Sequence, residues 1–173
     1  SRTDYDLTQH QKFSGKDLTY LDPETNERYI PYVVETSAGL TRNVLMALCD
    51  AYDEEPTPEG DTRTVMHFHP LIAPVKVAVL PLVKKDGLAE YASKLEHSLR
   101  SDFVTFYDQS GAVGRRYRRM DEIGTPYCVT VDYQTLQDQT VTVRFRDSMA
   151  QERVAVDQLV PFIQQKMKDY RRV

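Results

Sequence analysis

The sequence predicts an α/β protein, α+β overall, built from two consecutive regions, and three observations support this fold class. Residues 75–170 alternate apolar, strand-like runs with amphipathic helical segments, which indicates a layered structure with a mixed sheet. Prolines and an acidic stretch interrupt this pattern between residues 54 and 74, so we place a domain boundary between residues 69 and 70. With 173 residues and 40% hydrophobic content, the chain is large and apolar enough to form a folded core.

The first region, residues 1–69, contains a strand that leads into a helix. Residues 29–35 are mostly aromatic and β-branched, which predicts a strand, and apolar side chains recur at helical spacing after Gly39. The acidic run at residues 53–61 predicts a surface loop, because it cannot bury enough apolar surface to become ordered. The next segment is expected to complete this region by packing three apolar side chains, those of Val65, Met66 and Phe68.

The second region, residues 70–173, begins with a predicted βαβ unit. A strand, a helix and a second strand follow one another, and such a crossover connection favours parallel strands. Further alternating elements extend the sheet and its helical layers, and Asp157 is the expected N-cap of the last helix. The predicted elements are strands at 75–83, 103–107, 126–131 and 140–145, and helices at 88–100, 112–123 and 157–170.

The two regions differ in charge. Residues 1–69 carry 6 Lys and Arg against 13 Asp and Glu, a net charge of −7, whereas residues 70–173 carry 16 against 13, a net charge of +3. The positive excess is compatible with nucleic-acid contact, although solvated faces often carry as much. The sequence has no run of about 18 apolar residues and no signal-peptide pattern, so we expect no membrane span and a cytoplasmic location.

The cysteines and histidines do not predict a metal centre. Cys49 and Cys128 stand alone in apolar runs, which predicts two small buried thiols and not a disulfide, a zinc site or a nucleophile. His67 and His69 have no carboxylate or cysteine at ligand spacing, so they are expected to be structural and no metal is expected. The sequence also has no GxGxxG, Walker loop, Ser-His-Asp set or HExxH motif, which disfavours a nucleotide-fold, hydrolase or protease interpretation.

The junction between the first predicted strand and helix carries groups suited to a small ligand. Glu35 and Ser37 share one face if the strand continues through them, and they offer a carboxylate for an amine and a hydroxyl for hydrogen bonding. Gly39 lets another molecule approach the backbone, and Arg42 supplies a planar cation that can stack on a ring or bind phosphate. Similar residues occur at strand-to-helix turns without a ligand, so the spacing alone leaves both interpretations open.

This junction, E-x-S-x-G-x-x-R at residues 35–42, resembles motif 3 of the class II aminoacyl-tRNA synthetases in its glycyl-tRNA synthetase form. Residues 1–20 resemble the stretch before motif 3, and residues 107–132 resemble a signature of the anticodon-binding domain. The resemblance covers nearly the whole chain. It implies part of a class II antiparallel catalytic sheet at residues 1–69 and a mixed-sheet α/β anticodon-binding domain at residues 70–173. Nothing resembles motif 1 or motif 2, so the chain looks like the C-terminal part of a longer enzyme and is expected to be inactive alone.

The resemblance implies a reaction and a set of ligands. The family activates glycine with ATP, with Mg2+ in the full-length enzyme, and transfers the glycyl group to tRNA(Gly); the parent is expected to be a homodimer. The Glu35 carboxylate would lie near the amino group of glycine, and Arg42 would stack on adenine or contact the phosphates. By motif position, the implied glycine-binding residues are Glu35, Thr36, Ser37, Ala38 and Gly39, and the implied ATP-binding residues are Gly39, Leu40, Thr41 and Arg42.

The helix predicted at residues 112–123 is the main candidate for tRNA contact. Helical spacing gathers Arg115, Arg118 and Arg119 on one face and turns Val113, Tyr117 and Met120 towards the core. The alternative is a solvated helix whose arginines pair with neighbouring acids. A second cationic edge is expected on the strand that ends at residue 145. The predicted tRNA-binding residues are Arg115, Arg116, Arg118, Arg119, Arg144 and Arg146, and Tyr107, Tyr127 and Tyr133 are candidate platforms for stacked bases.

A different class of function remains open at this point. Related anticodon-like domains can bind nucleic acid or protein without charging tRNA, so a non-enzymatic tRNA- or protein-binding module is the alternative. The E-x-S-x-G-x-x-R motif favours origin in an active synthetase, because a pure binding module has no use for it.

Overall fold

The computed structural model describes residues 1–57 and 60–171. The chain forms two compact units, Ser1–Asn43 and Val44–Val173. The first unit contains helix α1 (Tyr5–Ser14) and an antiparallel pair of short strands, β1 (Tyr20–Leu21) and β2 (Arg28–Tyr29). Helix α2 (Leu40–Ala51) begins in the first unit and continues into the second.

The second unit combines a β-hairpin with a five-stranded mixed sheet. The hairpin is formed by β3 (Tyr52–Pro56) and β4 (Thr62–Met66). The sheet has the order β6-β5-β7-β8-β9, in which β5 is parallel to β6 and β7, whereas β8 is antiparallel to β7 and β9. Its elements are β5 (Val77–Pro81), α3 (Leu88–Leu99), β6 (Thr105–Tyr107), α4 (Val113–Glu122), β7 (Tyr127–Val131), α5 (Thr135–Asp138), β8 (Thr140–Phe145), β9 (Gln151–Ala155), a 3-10 turn (Val156–Gln158) and α6 (Leu159–Asp169).

Helices cover both faces of this sheet, which explains why its central strands are continuous apolar runs. Every residue of β5 and β7 is buried. Along β5, Val77 and Val79 pack into the cluster that includes residues of α3 and α6, whereas Ala78 and Leu80 pack with Met120 of α4. The predicted βαβ unit and the mixed α/β sheet of the second region are therefore confirmed.

Most element boundaries of the second unit lie within two residues of the prediction. The prediction missed β9 and the single turn α5, which have weak apolar periodicity. Asp157 is not the N-cap of α6. It lies within the 3-10 turn, and Gln158 occupies the cap position without a side-chain capping bond.

The predicted strand at residues 29–35 is wrong. Only Tyr29 belongs to a strand, β2, and residues 30–39 have no regular structure. A strand requires a partner for its backbone groups, and Pro31 also lacks an N–H to donate. In the described part of the first unit, β1 is the partner strand and it pairs only with Arg28 and Tyr29. The larger antiparallel sheet implied by the resemblance is not seen in these residues, whereas the helix predicted after Gly39 is confirmed as α2.

The predicted loop at residues 53–61 is wrong for residues 53–56, which belong to strand β3 of the hairpin, whereas the described residues 57, 60 and 61 lie outside the strands. Pro58 and Glu59 lie outside the described residues. The hairpin is stabilised by its inner face, where Glu55 pairs in register with Arg63 and Asp53 with Val65. Arg63 and Val65 are both buried. The acidic residues therefore order by pairing with a buried strand and not by burying their own side chains.

The end of the hairpin packs closely against the turn between α4 and β7. Val65 and Phe68 are buried and Met66 is half-buried, as expected. Gly124 in that turn has φ +79°, and a Cβ at this position would lie 2.4 Å from Cδ2 of Phe68 and 2.8 Å from the Met66 carbonyl oxygen. Only glycine satisfies both the positive φ and the close approach.

The two cysteines differ in environment. Cys128 is buried as predicted, and burial raises the pKa of its thiol to about 12. Cys49 is exposed, so the prediction of a second buried thiol is wrong. It lies on α2, where Val44, Leu45 and Met46 are exposed as well, since nothing in the described residues packs over that part of the helix. No described helix is long and apolar enough to cross a bilayer.

Candidate nucleic-acid interface

The exposed side of α4 carries three of the predicted arginines. Arg115 is exposed, and Arg118 and Arg119 keep 41% and 42% of their side-chain surface accessible. On the opposite side, Met120 is buried and Tyr117 hydrogen-bonds Thr130 of β7 over 2.6 Å. The predicted orientation of the helix is therefore confirmed.

Ion pairs hold two of these arginines in place. Arg118 pairs with Asp61 near the tip of the hairpin. Arg119 donates from Nε to Asp108 Oδ2 over 3.1 Å and from Nη2 to the Ser110 carbonyl over 2.6 Å. Burial alone would raise the pKa of Asp108, but the Ser110 N–H and the Arg119 guanidinium outweigh it and lower that pKa. Among the described residues, Arg115 has no ion-pair partner, so it is the arginine of this face whose charge is least compensated.

Arg116 differs from its neighbours because its side chain is only 2% exposed. Its guanidinium donates to the carbonyl oxygens of Pro81, Leu82 and Asp108, which lie at the ends of β5 and β6. Within the described part of the chain, its Nε is the one buried side-chain polar atom without a hydrogen-bond partner. These contacts hold α4 against the ends of the strands, so burial argues against the predicted direct contact with tRNA.

Arg144 forms part of a buried ionic cluster beneath α4. Asp121, which is 1% exposed, accepts two hydrogen bonds from Arg144 at 2.9 and 3.0 Å and one from Arg63 at 3.1 Å. The Arg144 guanidinium also lies 4.8 Å from the ring centroid of Tyr117. A guanidinium enclosed by a carboxylate and an aromatic ring has no open face for a phosphate. Arg144 is therefore not part of an exposed cationic edge, contrary to the expectation from the sequence.

Arg146 is likewise covered by protein, with 1% exposure. It donates to the Gly124 carbonyl over 2.9 Å and to both carboxylate oxygens of Asp147. Strand alternation alone predicted an exposed pair of arginines, but the hairpin and the turn before β7 cover this end of β8. The accessibility needed for the predicted tRNA contact is therefore lacking at Arg116, Arg144 and Arg146.

The loops after the three parallel strands meet at one edge of the sheet. Leu82 N–H donates to the Val131 carbonyl over 2.7 Å, and the Tyr133 hydroxyl donates to Asp86 Oδ2 over 2.8 Å. In the sheet, β6 lies on one side of β5 and β7 lies on the other, so the strand order reverses between β5 and β7. In open α/β sheets, ligands bind at the carboxyl ends of strands where the strand order reverses in this way. The region between the loops after β5 and β7, called the crevice below, is thus the candidate site.

Two lysines that were not among the predicted site residues lie at this crevice. Lys84 and Lys85 are exposed in the loop after β5, close in sequence to Asp86, which bonds Tyr133 from the loop after β7. Sequence reasoning missed them because two adjacent lysines in a loop carry no motif. The usable signal was their position after the first strand of a βαβ unit.

The three tyrosines considered as stacking platforms are not equivalent. Tyr133 is 47% exposed at the crevice, so its ring is accessible to a base. Tyr107 is half-buried and its hydroxyl donates to the Ala89 carbonyl over 3.2 Å. Tyr127 is 3% exposed and packs edge-on against Phe145, and burial raises its pKa to about 12. Tyr127 is therefore a core residue.

The motif 3 segment of the first unit is exposed throughout, from Glu35 to Arg42. It supplies one carboxylate, three hydroxyl groups at Thr36, Ser37 and Thr41, and one guanidinium at Arg42, and a Cβ added at Gly39 would meet no atom within 4 Å. Mg2+ bound to a nucleotide needs carboxylates together with phosphate oxygens. These residues therefore fit one wall of a glycine and ATP site and cannot enclose either ligand by themselves.

Comparison with known proteins identifies relatives of this chain. The family described as Anticodon binding domain matches residues 76–166. A glycine–tRNA ligase from Treponema denticola is 59% identical over 177 residues, covering 99% of this chain and 39% of that protein. A glycine–tRNA ligase from Clostridium kluyveri is 60% identical over 167 residues, covering 96% of this chain and 36% of that protein.

Among solved structures, the RNA binding domain of threonyl-tRNA synthetase from Cryptosporidium parvum Iowa II is 26% identical, with a TM-score of 0.49 over 53% of this chain and 23% of that chain. The chain spans 39% or less of the length of the two glycine–tRNA ligases. Residues 76–166, the stretch matched by the family, make up more than half of the sequence. The chain therefore belongs to the anticodon binding domain family.

Proposed function

We propose that this chain is part of a glycine–tRNA ligase and that its second region, residues 70–173, binds the anticodon of tRNA(Gly). The family match over residues 76–166 carries this proposal. It is supported by the crevice at the carboxyl edge of the sheet, where Lys84, Lys85 and Tyr133 are exposed. Arg115 adds a further exposed cation on α4, which follows β6 at the same edge.

The exposed cations and the aromatic ring would perform different tasks in this crevice. Lysine ammonium groups and the Arg115 guanidinium neutralise backbone phosphates and so fix the position of the anticodon loop. The Tyr133 ring offers a face on which an unstacked base can stack, and its hydroxyl is held by Asp86. Arg119, oriented by Asp108, presents its remaining donors in a fixed plane suited to a base edge or a phosphate.

The first region, residues 1–69, would contribute the motif 3 part of a class II catalytic domain. Glu35 would bind the amino group of glycine, and Thr36, Ser37, Ala38 and Gly39 would close the pocket. Gly39, Leu40, Thr41 and Arg42 would contact ATP, whose Mg2+ supplies charge neutralisation at the phosphates when bound. A pocket that leaves room only for a hydrogen at the α-carbon excludes larger amino acids by steric clash.

Catalysis would be carried out by a larger protein that contains this chain, consistent with the greater length of the relatives. That protein would be a cytoplasmic homodimer that activates glycine with ATP and passes the glycyl group to tRNA(Gly). Positioning and charge stabilisation would dominate such a reaction. This chain alone would bind tRNA without charging it.

The test is binding of the purified chain to tRNA(Gly), compared with a tRNA that differs only at the second and third anticodon bases, across a salt series. We expect discrimination that persists as salt rises. Lys85→Gln and Arg115→Gln should each lower the slope of the logarithm of the binding constant against the logarithm of the salt concentration by about 1 in magnitude. Lys94→Gln is the matched control, because Lys94 is an exposed cation within α3 and not in the loops after β5 or β7. If both tRNAs bind equally and salt abolishes this binding, the site makes only general phosphate contacts. If the chain binds no tRNA but binds a protein saturably, the alternative of a protein-binding module is favoured.

A further inference from the structure

A second cleft lies at the other end of the sheet from the tRNA crevice. Its volume is about 720 Å3, and it is bounded by the hairpin, the turn between β8 and β9, and the end of α6. It adjoins the amino end of β7, whereas the tRNA crevice adjoins the carboxyl end. Asp53, Glu55 and His67 lie together on the hairpin wall of this cleft.

The pairing of the hairpin strands brings these three side chains together. Asp53 and Glu55 are two apart on β3 and share the inner face, and His67 follows β4 and donates its backbone N–H to the Ala51 carbonyl. One possible ligand atom from each residue lies within 4.8 Å of the others. Sequence reasoning found no carboxylate at ligand spacing from His67, because the contacts depend on the hairpin that was predicted as a loop.

The His67 ring is held between two carboxylates. Its Nδ1 lies 2.7 Å from Asp147 Oδ1, and its Nε2 lies 2.8 Å from Glu55 Oε1. A neutral imidazole has only one N–H, so it can donate to only one of these oxygens. With Nδ1–H donating to Asp147, the Nε2 lone pair faces Glu55 Oε1, which is also an electron-pair donor. A metal ion bound by both atoms would join them.

The two carboxylates that flank His67, those of Asp147 and Glu55, are each held by an arginine. Arg146 holds Asp147, donating to its Oδ1 over 2.6 Å and to its Oδ2 over 3.0 Å. Arg63, which is 4% exposed, bonds Glu55 Oε2 and leaves Oε1 directed at the histidine. A histidine ligand typically donates its other ring N–H to a carboxylate, and ligating carboxylates are themselves hydrogen-bonded. This arrangement distinguishes the cluster from a chance group of surface acids.

We propose that Asp53, Glu55 and His67 bind one divalent transition-metal ion, Zn2+ in preference to Mg2+. Imidazole nitrogen and carboxylate oxygen are both ligands that Zn2+ accepts, and three protein ligands leave its fourth position open, whereas Mg2+ favours oxygen ligands and an octahedral shell. The open position faces the cleft. The ion links β3 to the residue after β4 and so closes the base of the hairpin.

The test is a titration of the metal-depleted chain with Zn2+ by calorimetry, and with Co2+ by its visible absorption. We expect one equivalent to bind to the parent chain and to His97→Gln, the matched control in which an exposed histidine on α3 is removed. His67→Gln should bind none. Asp147→Asn should weaken affinity by about 10-fold to 100-fold, because the ring loses its anchor.

Asp53→Asn provides a second ligand variant in which folding is easily kept, since Asp53 is exposed, and it should also weaken binding. Circular dichroism checks that each variant is folded. Unchanged stoichiometry in folded His67→Gln, or no saturable binding by the parent chain, would overturn the proposal. The result is independent of tRNA binding, because the tRNA crevice lies at the opposite edge of the sheet.

Discussion

The buried Asp121 carboxylate provides a sharp test of how the hairpin is held on the sheet. It accepts hydrogen bonds from Arg144 at 2.9 and 3.0 Å and from Arg63 at 3.1 Å, and it is 1% exposed. In Asp121→Asn, the guanidinium groups of Arg63 and Arg144 lose their shared counter-charge. The new amide NH2 group would also face guanidinium N–H groups, and both are hydrogen-bond donors. Removing one partner of a buried ion pair costs about 3–5 kcal/mol. A total stability of about 5–15 kcal/mol makes this loss a large fraction of the whole.

The assay is urea denaturation together with thermal unfolding followed by circular dichroism. We expect the melting temperature to fall by roughly 10 °C, from a shift of about 2–4 °C per kcal/mol for a chain of this size. Glu122→Gln is the matched control, because Glu122 is the exposed neighbour on the same helix and should change stability by less than about 0.5 kcal/mol.

If Asp121→Asn does not fold, Arg144→Lys retains the charge but loses the two-point contact, and it should cost about 1.5–3 kcal/mol. An Asp121→Asn variant as stable as the Glu122→Gln control would refute the reasoning, because it would mean that the cluster contributes nothing once its desolvation is counted.

Three further predictions concern other parts of the second unit. Gly124→Ala should destabilise the chain by about 1–3 kcal/mol in urea, because its Cβ would lie 2.4 Å from Phe68, whereas Gly114→Ala, with no atom within 4 Å, should not; equal effects would contradict this. Arg153 holds the pKa of Asp132 below its ordinary value of 3.8, so the ionised Asp132 carboxylate stabilises the folded chain above that pH, and this contribution is lost as pH falls through the folded-state pKa. The difference in unfolding free energy between the parent chain and Asp132→Asn should therefore shrink in acid. A difference that stays constant with pH would disprove this prediction. Iodoacetamide should label exposed Cys49 first, since Cys128 is buried and burial raises the pKa of its thiol from 9.0 to about 12, which disfavours the reactive thiolate; equal labelling of the two cysteines in the native chain would refute the burial of Cys128.

The elements of the sheet could be predicted because their signals are local. Apolar runs such as Tyr127–Val131 and helical periodicity such as that of Leu88–Leu99 are visible within a short window of sequence. The two failures in the first 61 residues share a different cause. Residues 30–35 have the composition of a strand but no described strand pairs with them, and residues 53–56 lie in a stretch with the composition of a loop but pair with β4. Pairing is a property of two segments, so neither segment could reveal it alone.

The candidate site was predicted in part for the same reason. The exposed face of α4 follows from helical spacing, and Arg115, Arg118 and Arg119 lie there as expected. Arg116, on the same helix, is buried because its guanidinium reaches carbonyl oxygens at the ends of strands about 35 residues earlier. The crevice itself required the strand order, which places the loops after β5 and β7 side by side.

The sequence by itself determined the order of the elements in the second region and the family to which the chain belongs, because periodicity and motifs are read along the chain. Only the tertiary structure decided which charged groups face solvent and which are enclosed. Arg63 and Asp121 are 58 residues apart in sequence yet form a buried ion pair, and Asp147 holds the ring of His67 from 80 residues away. Burial and ion pairing arise between distant segments, and so they appear only when the chain is folded.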